Sequence, residues 1–239
     1  KINQGLFTAF TALNERRKVA KLLLDTLSLY FFFRERGSAE LIEQCREMLK
    51  DPLANEEQIV NLFKESITHN DARMFEISSF VVLRVWYANK EILMGPDSSE
   101  LERLPLTLYK TGRVSANDGG INFVLVPLGK FFQATQSLDL KKFFLDIDKV
   151  SRYPITFVMQ TTLSGDEALR LIREKAQQEF AEPEIVERYL GSIESIFTLQ
   201  DLNRILDELH TLSPKQRTTV YKDAINEFIN QYSVEYNIS

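Results

Sequence analysis

A chain of 239 residues, 44% hydrophobic and 26% charged, has the balance of an ordinary globular protein and enough apolar material for a real core. Its formal charge of −5 speaks against a general nucleic-acid binder, because sequence-independent affinity for phosphate backbones comes from clustered Lys and Arg. The single cysteine, Cys45, cannot close an internal disulfide, which suits the cytoplasm or another reducing compartment, though delivery into another cell would also fit.

In chain order, the first hundred residues carry repeated helix signals. Val19, Leu22, Leu23, Thr26, Leu27 and Tyr30 recur at helical spacing with charges between them, and Gly37 predicts a stop. Ser38 is placed to cap a second helix whose Leu41, Ile42, Cys45, Met48 and Leu49 share one face. The consecutive aromatics Tyr30, Phe31, Phe32 and Phe33 point all round a helix, so they read either as a buried central turn or as a docking surface. After a Pro52 turn, Asn55 with Gln58 resembles a capping box before "IVNLFKESI". "RMFEISSFVVLRVWYANKEIL" then reads as a well-buried helix through Phe75, Ser79, Val82, Val85, Trp86 and Leu93.

Gly95 and Pro96 change the regime, and Ser99 with Glu102 has room to cap only a short helix before Pro105. "LTLYKTGRV" alternates as a strand, "SANDGG" supplies turn chemistry, and "INFVLVPL" reads as the partner strand. A short helix over "LDLKKFFLDIDKV" and a third strand in "YPITFVMQTTL" complete a mixed middle. Helices then resume. Ser164 and Glu167 form a capping-box pattern, Pro183 opens "EIVERYLGSIESIF", Thr198 caps "LQDLNRILDELH", and Ser213 with Pro214 opens the last helix.

The expected fold is therefore α+β, predominantly α-helical with a small central antiparallel or mixed sheet. Its regions are an N-terminal helical part (1–97), a mixed part (98–163) and a C-terminal helical part (164–239). No repeat or flexible linker separates them, so they are expected to pack as one unit. No run approaches the roughly 18 apolar residues of a membrane span.

Most catalytic patterns are missing. The chain has no phosphate-loop lysine motif, dinucleotide glycine fingerprint or nucleophile-elbow serine, and its two histidines, His69 and His210, are not spaced to join Cys45 or each other. Nothing points to a metal site.

The order of elements from 104 to 186 nevertheless resembles the mono-ADP-ribosyltransferases. "LYKTGR" stands where that family has a strand ending in Leu-Tyr-Arg-Gly; "FFQATQSLDLKKFF" is similar to its Ser-Thr-Ser-like strand end with a short helix behind it; "FAEPEIV" carries a Glu-x-Glu pair. The resemblance implies NAD as cofactor, Glu184 stabilising an oxocarbenium-like centre and Glu182 orienting the acceptor. Thr135 or Ser137 would support the carboxylate, and Lys110 or Arg113 would pair with the NAD phosphates. Lysine at 110 replaces the family's arginine, and the two are not equivalent where a planar fork is needed. Read from the residues alone, with Ile185, Tyr189, Ile193 and Ile196 at helical spacing, Glu182 and Glu184 are acids that complement the start of a helix.

The leading functional expectation is a protein-binding or regulatory module acting through a helical surface, with no cofactor; ADP-ribosyl transfer to a protein, with NAD, is the alternative. Tyr30 to Phe33, Tyr232 and Tyr236 are the candidate contact residues, although most of them are expected in the core. An effector acting on small GTPases through a helical face fits the same architecture. Partner identity and oligomeric state are not legible in the sequence.

Overall fold

The computed structural model of the chain describes residues 13–97, 99–111, 121–236 and 238, excepting the side chains of residues 13–18 and 30–36. Three helices come first: α1 (Leu13–Lys50), α2 (Glu56–Thr68) and α3 (Ala72–Ala88). A two-stranded hairpin, β1 (Glu91–Met94) with β2 (Glu102–Pro105), leads into β3 (Thr107–Lys110), β4 (Phe123–Val126) and β5 (Lys130–Thr135). Then follow α4 (Leu140–Lys149), β6 (Ile155–Met159), α5 (Gly165–Glu179), α6 (Pro183–Leu190), β7 (Ile193–Phe197), α7 (Leu199–Leu209) and α8 (Pro214–Tyr236).

The strands β3 to β7 form one sheet in chain order, antiparallel from β3 to β5 and parallel from β5 to β7. Parallel neighbours need crossover connections, and α4 and the α5–α6 pair supply them. Strand alternation then divides the core in two. On one face, Ile155, Phe157 and Met159 of β6 pack with Phe143 and Ile147 of α4, Ile172 of α5 and Val186 of α6. On the other, Val158, Phe132, Phe123 and Leu108 meet α2, α3, α7 and α8 through Phe63, Phe80, Leu206 and Phe228. The adjacent residues Phe157 and Val158 thus serve different cores. The fold is α+β and mainly helical, as the sequence predicts.

Several expected boundaries move. The break at Gly37 does not occur: α1 runs through it, and Ser38, rather than capping a helix, is buried with its hydroxyl 3.1 Å from that of Tyr232 in α8. A contact across 194 residues therefore decides the local geometry. Near its start α1 leaves Leu22, Leu24, Leu27 and Leu29 exposed, so the helical spacing there has no core partner among the described residues. Asn55 precedes α2 but makes no side-chain cap; its amide donates instead to the Asp51 carbonyl, 2.9 Å away. Residues 91–94 and 102–105, read as the tail of one helix and the start of a short one, pair as β1 and β2. Leu93 is exposed in that hairpin.

Two strands lie where the sequence shows none by periodicity, β5 and β7. Ile193 and Ile196 fit a continuing helix, but α6 ends at Leu190 and "IESIF" joins the sheet beside β6. As a result the sheet extends past residue 163 into the part expected to be helical. The expected caps after 164 stand: Ser164 and Glu167 close a reciprocal capping box, and the Thr198 N–H donates to Asp201 at 3.0 Å. Among the described residues no helix is long and apolar enough to cross a membrane.

Glu56, at the start of α2, ties three helices together. Both its oxygens lie 2.7 Å from Arg217, and Oε1 also meets the Tyr221 hydroxyl at 2.9 Å and His210 Nδ1 at 2.6 Å. Burial works against the charged form. The hydrogen bonds from Arg217, Tyr221 and His210, with the Arg217 charge, outweigh it and hold the carboxyl below the ordinary glutamate value of 4.5.

Because that value is lowered on folding, Glu56 stabilises the native state fully above the ordinary glutamate range and ceases to do so as pH falls through the folded value. Denaturant unfolding of the Glu56→Gln variant across acid pH is expected to show a shallower loss of stability below 4.5 than the native chain shows. The glycines separate in the same assay. A Cβ at Gly37 meets nothing, so Gly37→Ala is expected to add about 0.5–1 kcal/mol of helix stability. At Gly165 a Cβ would lie 2.5 Å from the Ile196 carbonyl oxygen, so Gly165→Ala is expected to cost about 1–3 kcal/mol.

Candidate functional site

Two concavities flank the sheet's antiparallel half. The larger, about 730 Å³, runs between β3 and α8 with the end of α3 as its floor. β3 is one of the two edge strands of the sheet. The hydrogen bond from Thr111 N–H to Asn122 C=O sets the alternation, so the main-chain groups of Thr107 and Tyr109 face β4 and those of Leu106, Leu108 and Lys110 face outward. Leu106 uses its outward N–H on Lys90 C=O at 3.0 Å. Beside Leu108 no described strand continues the sheet, but the residue is fully buried, so its outward groups are covered. The groove there has an apolar base, Val85, Leu106, Leu108 and Val220, under a rim of uncharged amides and hydroxyls that includes Asn89, Gln216, Thr219, Asn226 and Asn230. Of its charged groups, Arg84 and Glu227 neutralise each other at 2.7 Å, and Lys215 and Asp223 are of opposite sign.

The second concavity, about 430 Å³, is polar and sits where β5 ends, β4 begins and α3 starts. Thr135 and Ser137 line it, joined by a hydrogen bond from the Thr135 hydroxyl to the Ser137 carbonyl at 3.2 Å. Lys110 reaches its wall through an ion pair, with Nζ 3.1 Å from Oε1 of the buried Glu76. Arg73 holds the other Glu76 oxygen at 3.0 Å and also approaches Glu235 at 3.4 Å. From α4, Asp146 and Lys149 pair at 2.6 Å. Asn122 supports the β5 end, its side-chain oxygen accepting the Ala134 N–H at 2.7 Å. The structure thus brings Thr135, Ser137 and Lys110 to one place. Arg113 lies outside the described residues.

Glu182 and Glu184 do not line that cavity. Glu182 is the residue before α6, Glu184 is in its first turn, and both are exposed. They occupy a helix start rather than the strand edge that the ADP-ribosyltransferase resemblance implies, because Pro183 fixes the first helical position and Val186 and Leu190 are buried at helical spacing.

The remaining candidates are structural. His69 Nδ1 accepts the Asp71 N–H at 3.1 Å and His210 belongs to the Glu56 cluster, so neither approaches Cys45 as a base. No group of three or more metal-ligating side chains occurs among the described residues. Tyr232 is buried and stacked on Phe228, and Tyr236 donates its hydroxyl to Asp71 at 2.6 Å. The side chains of Tyr30, Phe31, Phe32 and Phe33 lie outside the described set.

Asp146, Gln133 and Glu76 were not singled out by sequence reasoning, although two carried a signal. Glu76 is the only charge between Met74 and Leu83 in a helix buried nearly all round, and Asp146 interrupts the apolar side of "LKKFFLDIDK".

Cys45 is fully buried against the larger core, and loss of hydration pushes its thiol up to about 12. A thiol-alkylating reagent at mildly alkaline pH is expected to leave the native protein unmodified and to label one cysteine per chain in denaturant; ready labelling of the folded chain would contradict this burial. Comparison of the chain with protein-family models, with curated proteins and with solved structures finds no match.

Proposed function

We propose that the protein is a peptide-recognition module that takes an extended segment of another protein into the groove between β3 and α8. The observation that carries this reading is the groove itself, about 730 Å³ with an apolar base under an uncharged polar rim. An extended peptide lying in the groove would set an apolar side chain on its base, while the flanking polar groups give selectivity. The apolar base at Val85, Leu106 and Val220 would take one side chain of the peptide, and the amide-rich rim would bond its polar groups. This specifies the helical-surface module expected from the sequence: α8 and α3 form the wall and floor, and β3 closes the other side.

ADP-ribosyl transfer from NAD to a protein stands second. The polar cavity gathers Thr135, Ser137 and the partner of Lys110, but neither Glu182 nor Glu184.

Selection from a library of displayed random peptides is the direct test. Enriched peptides are expected to lose about tenfold or more in affinity for Thr219→Arg and for Asn226→Arg, exposed α8 residues whose longer side chains would fill the groove. Because the groove's charges nearly cancel, affinity should change little with added salt. Failure to enrich any peptide, or enriched peptides indifferent to both variants, would refute the proposal.

A further inference from the structure

The N-terminal half of α1 is a helix without a core. None of residues 19–29 is buried, and Leu22, Leu24, Leu27 and Leu29 are 66%, 64%, 51% and 56% exposed. The C-terminal half of the same helix, by contrast, enters the larger core through Ile42 and Cys45. Single surface leucines are ordinary, but four within two turns of one helix make a continuous apolar surface.

The distribution of these leucines around the helix decides what can cover them. At about 100° per residue, Leu22 and Leu29 lie on one side, Leu24 and Leu27 nearly opposite, and Leu23 between the two pairs. Thr26 falls inside this arc, but its hydroxyl donates to the Leu22 carbonyl at 2.8 Å and needs no outside partner. Lys21, Asp25 and Ser28 share the remaining strip. The apolar arc takes in more than half of the circumference, wider than the stripe of about 100° that faces a single packed neighbour. One partner helix would leave a leucine pair in water, whereas a fluid apolar phase accepts both.

Length and charge identify that phase. The apolar stretch continues in the sequence to Phe33, and from Leu22 to Phe33 its one charge is Asp25. Such a run is about 18 Å of helix, too short to cross a hydrocarbon layer of about 30 Å. Of the places open to a run this short, the exposure of the leucines excludes the protein core, which leaves the membrane interface. Basic residues bracket it in the sequence: Arg16, Arg17, Lys18 and Lys21 on one side and Arg34 and Arg36 on the other, against Glu15, Asp25 and Glu35, in a chain whose net charge is −5. Anionic headgroups attract cations so placed, and a lysine stem can stay with the apolar surface while its ammonium reaches them.

We propose that residues 19–33 of α1 bind the surface of an anionic membrane, with the leucine arc among the acyl chains and Lys21 at the headgroups. The groove is built by β3, α3 and α8, so this surface is independent of peptide recognition.

The test is cosedimentation of the full chain with vesicles of phosphatidylcholine alone and with phosphatidylserine as about a third of the lipid. Binding to the second is expected to be about tenfold or more tighter than to the first, and to weaken as added salt shortens the reach of the headgroup charge. Leu24→Gln with Leu27→Gln, and separately Leu22→Gln with Leu29→Gln, should each weaken it about tenfold or more, because lipid contacts both sides of the arc. Glutamine is a good helix former and all four sites are exposed, so Tm should hold in both pairs. No binding to either vesicle, equal binding to both, or binding that survives in either pair would overturn the proposal. So would a lowered Tm, which would show the leucines packed within the protein. Sedimentation velocity without lipid supplies the remaining arm: self-association that both pairs abolish would assign the arc to a second copy of the chain and overturn the membrane reading.

Discussion

A run of parallel strands buried on both faces has to be covered on both sides, and this requirement organises the chain. β6 is buried at all five positions, and its residues alternate between two cores. Two crossovers, α4 and α5–α6, cover one face because they connect parallel neighbours. The other face is left to the elements before and after the sheet in sequence. That division explains why α2 and α3 pack with α7 and α8 although the whole sheet separates them in the chain. Both concavities lie beside the antiparallel half of the sheet.

The two layers differ in how they are held. The crossover side is tied by aromatic stacking: Phe143 lies on Phe157 with ring centroids 4.3 Å apart, and Phe144 on Tyr189 at the same distance. The opposite side adds polar ties between helix ends, above all the Glu56 cluster and the Tyr236 bond to Asp71. Gln136 and Gln160 add a third tie, bonding each other at 2.7 Å and reaching the main chain of Ile67 and His69. These bonds fix the ends of β5 and β6 against the α2–α3 connection, beside the polar cavity.

Much of this was legible in the sequence where a signal was local. The reciprocal cap at Ser164, the proline at the start of α6 and the amphipathic spacing of α4 and α7 each specify an element from a few neighbouring residues. The misreadings share a different cause. Gly37 has the composition of a stop, but Tyr232, far along the chain, engages Ser38 and the helix continues. "IESIF" is short and apolar enough to satisfy either period, and only its place beside β6 selects the strand. The site shows the same division. Thr135, Ser137 and Lys110 drew notice through the resemblance and do converge on one cavity, directly or through Glu76. Glu182 and Glu184 drew notice through the same resemblance and stand at a helix start. Gln133 has no mark of its own, since a polar residue in a short strand is ordinary until its surroundings are known.

The larger core has a consequence for the order in which the protein can be made. Its N-terminal contributors end with α3 at Ala88, whereas α8, which supplies Val220, Ala224, Ile225 and Phe228, begins at Pro214. On the ribosome that gap of about 125 residues corresponds to about 6–25 s of synthesis. During that interval the apolar sides of α2 and α3 have no α8 to receive them, while the smaller core, drawn from residues 121–196, can already assemble. Vectorial synthesis therefore completes the residues of the smaller core before the last helix of the larger one is made.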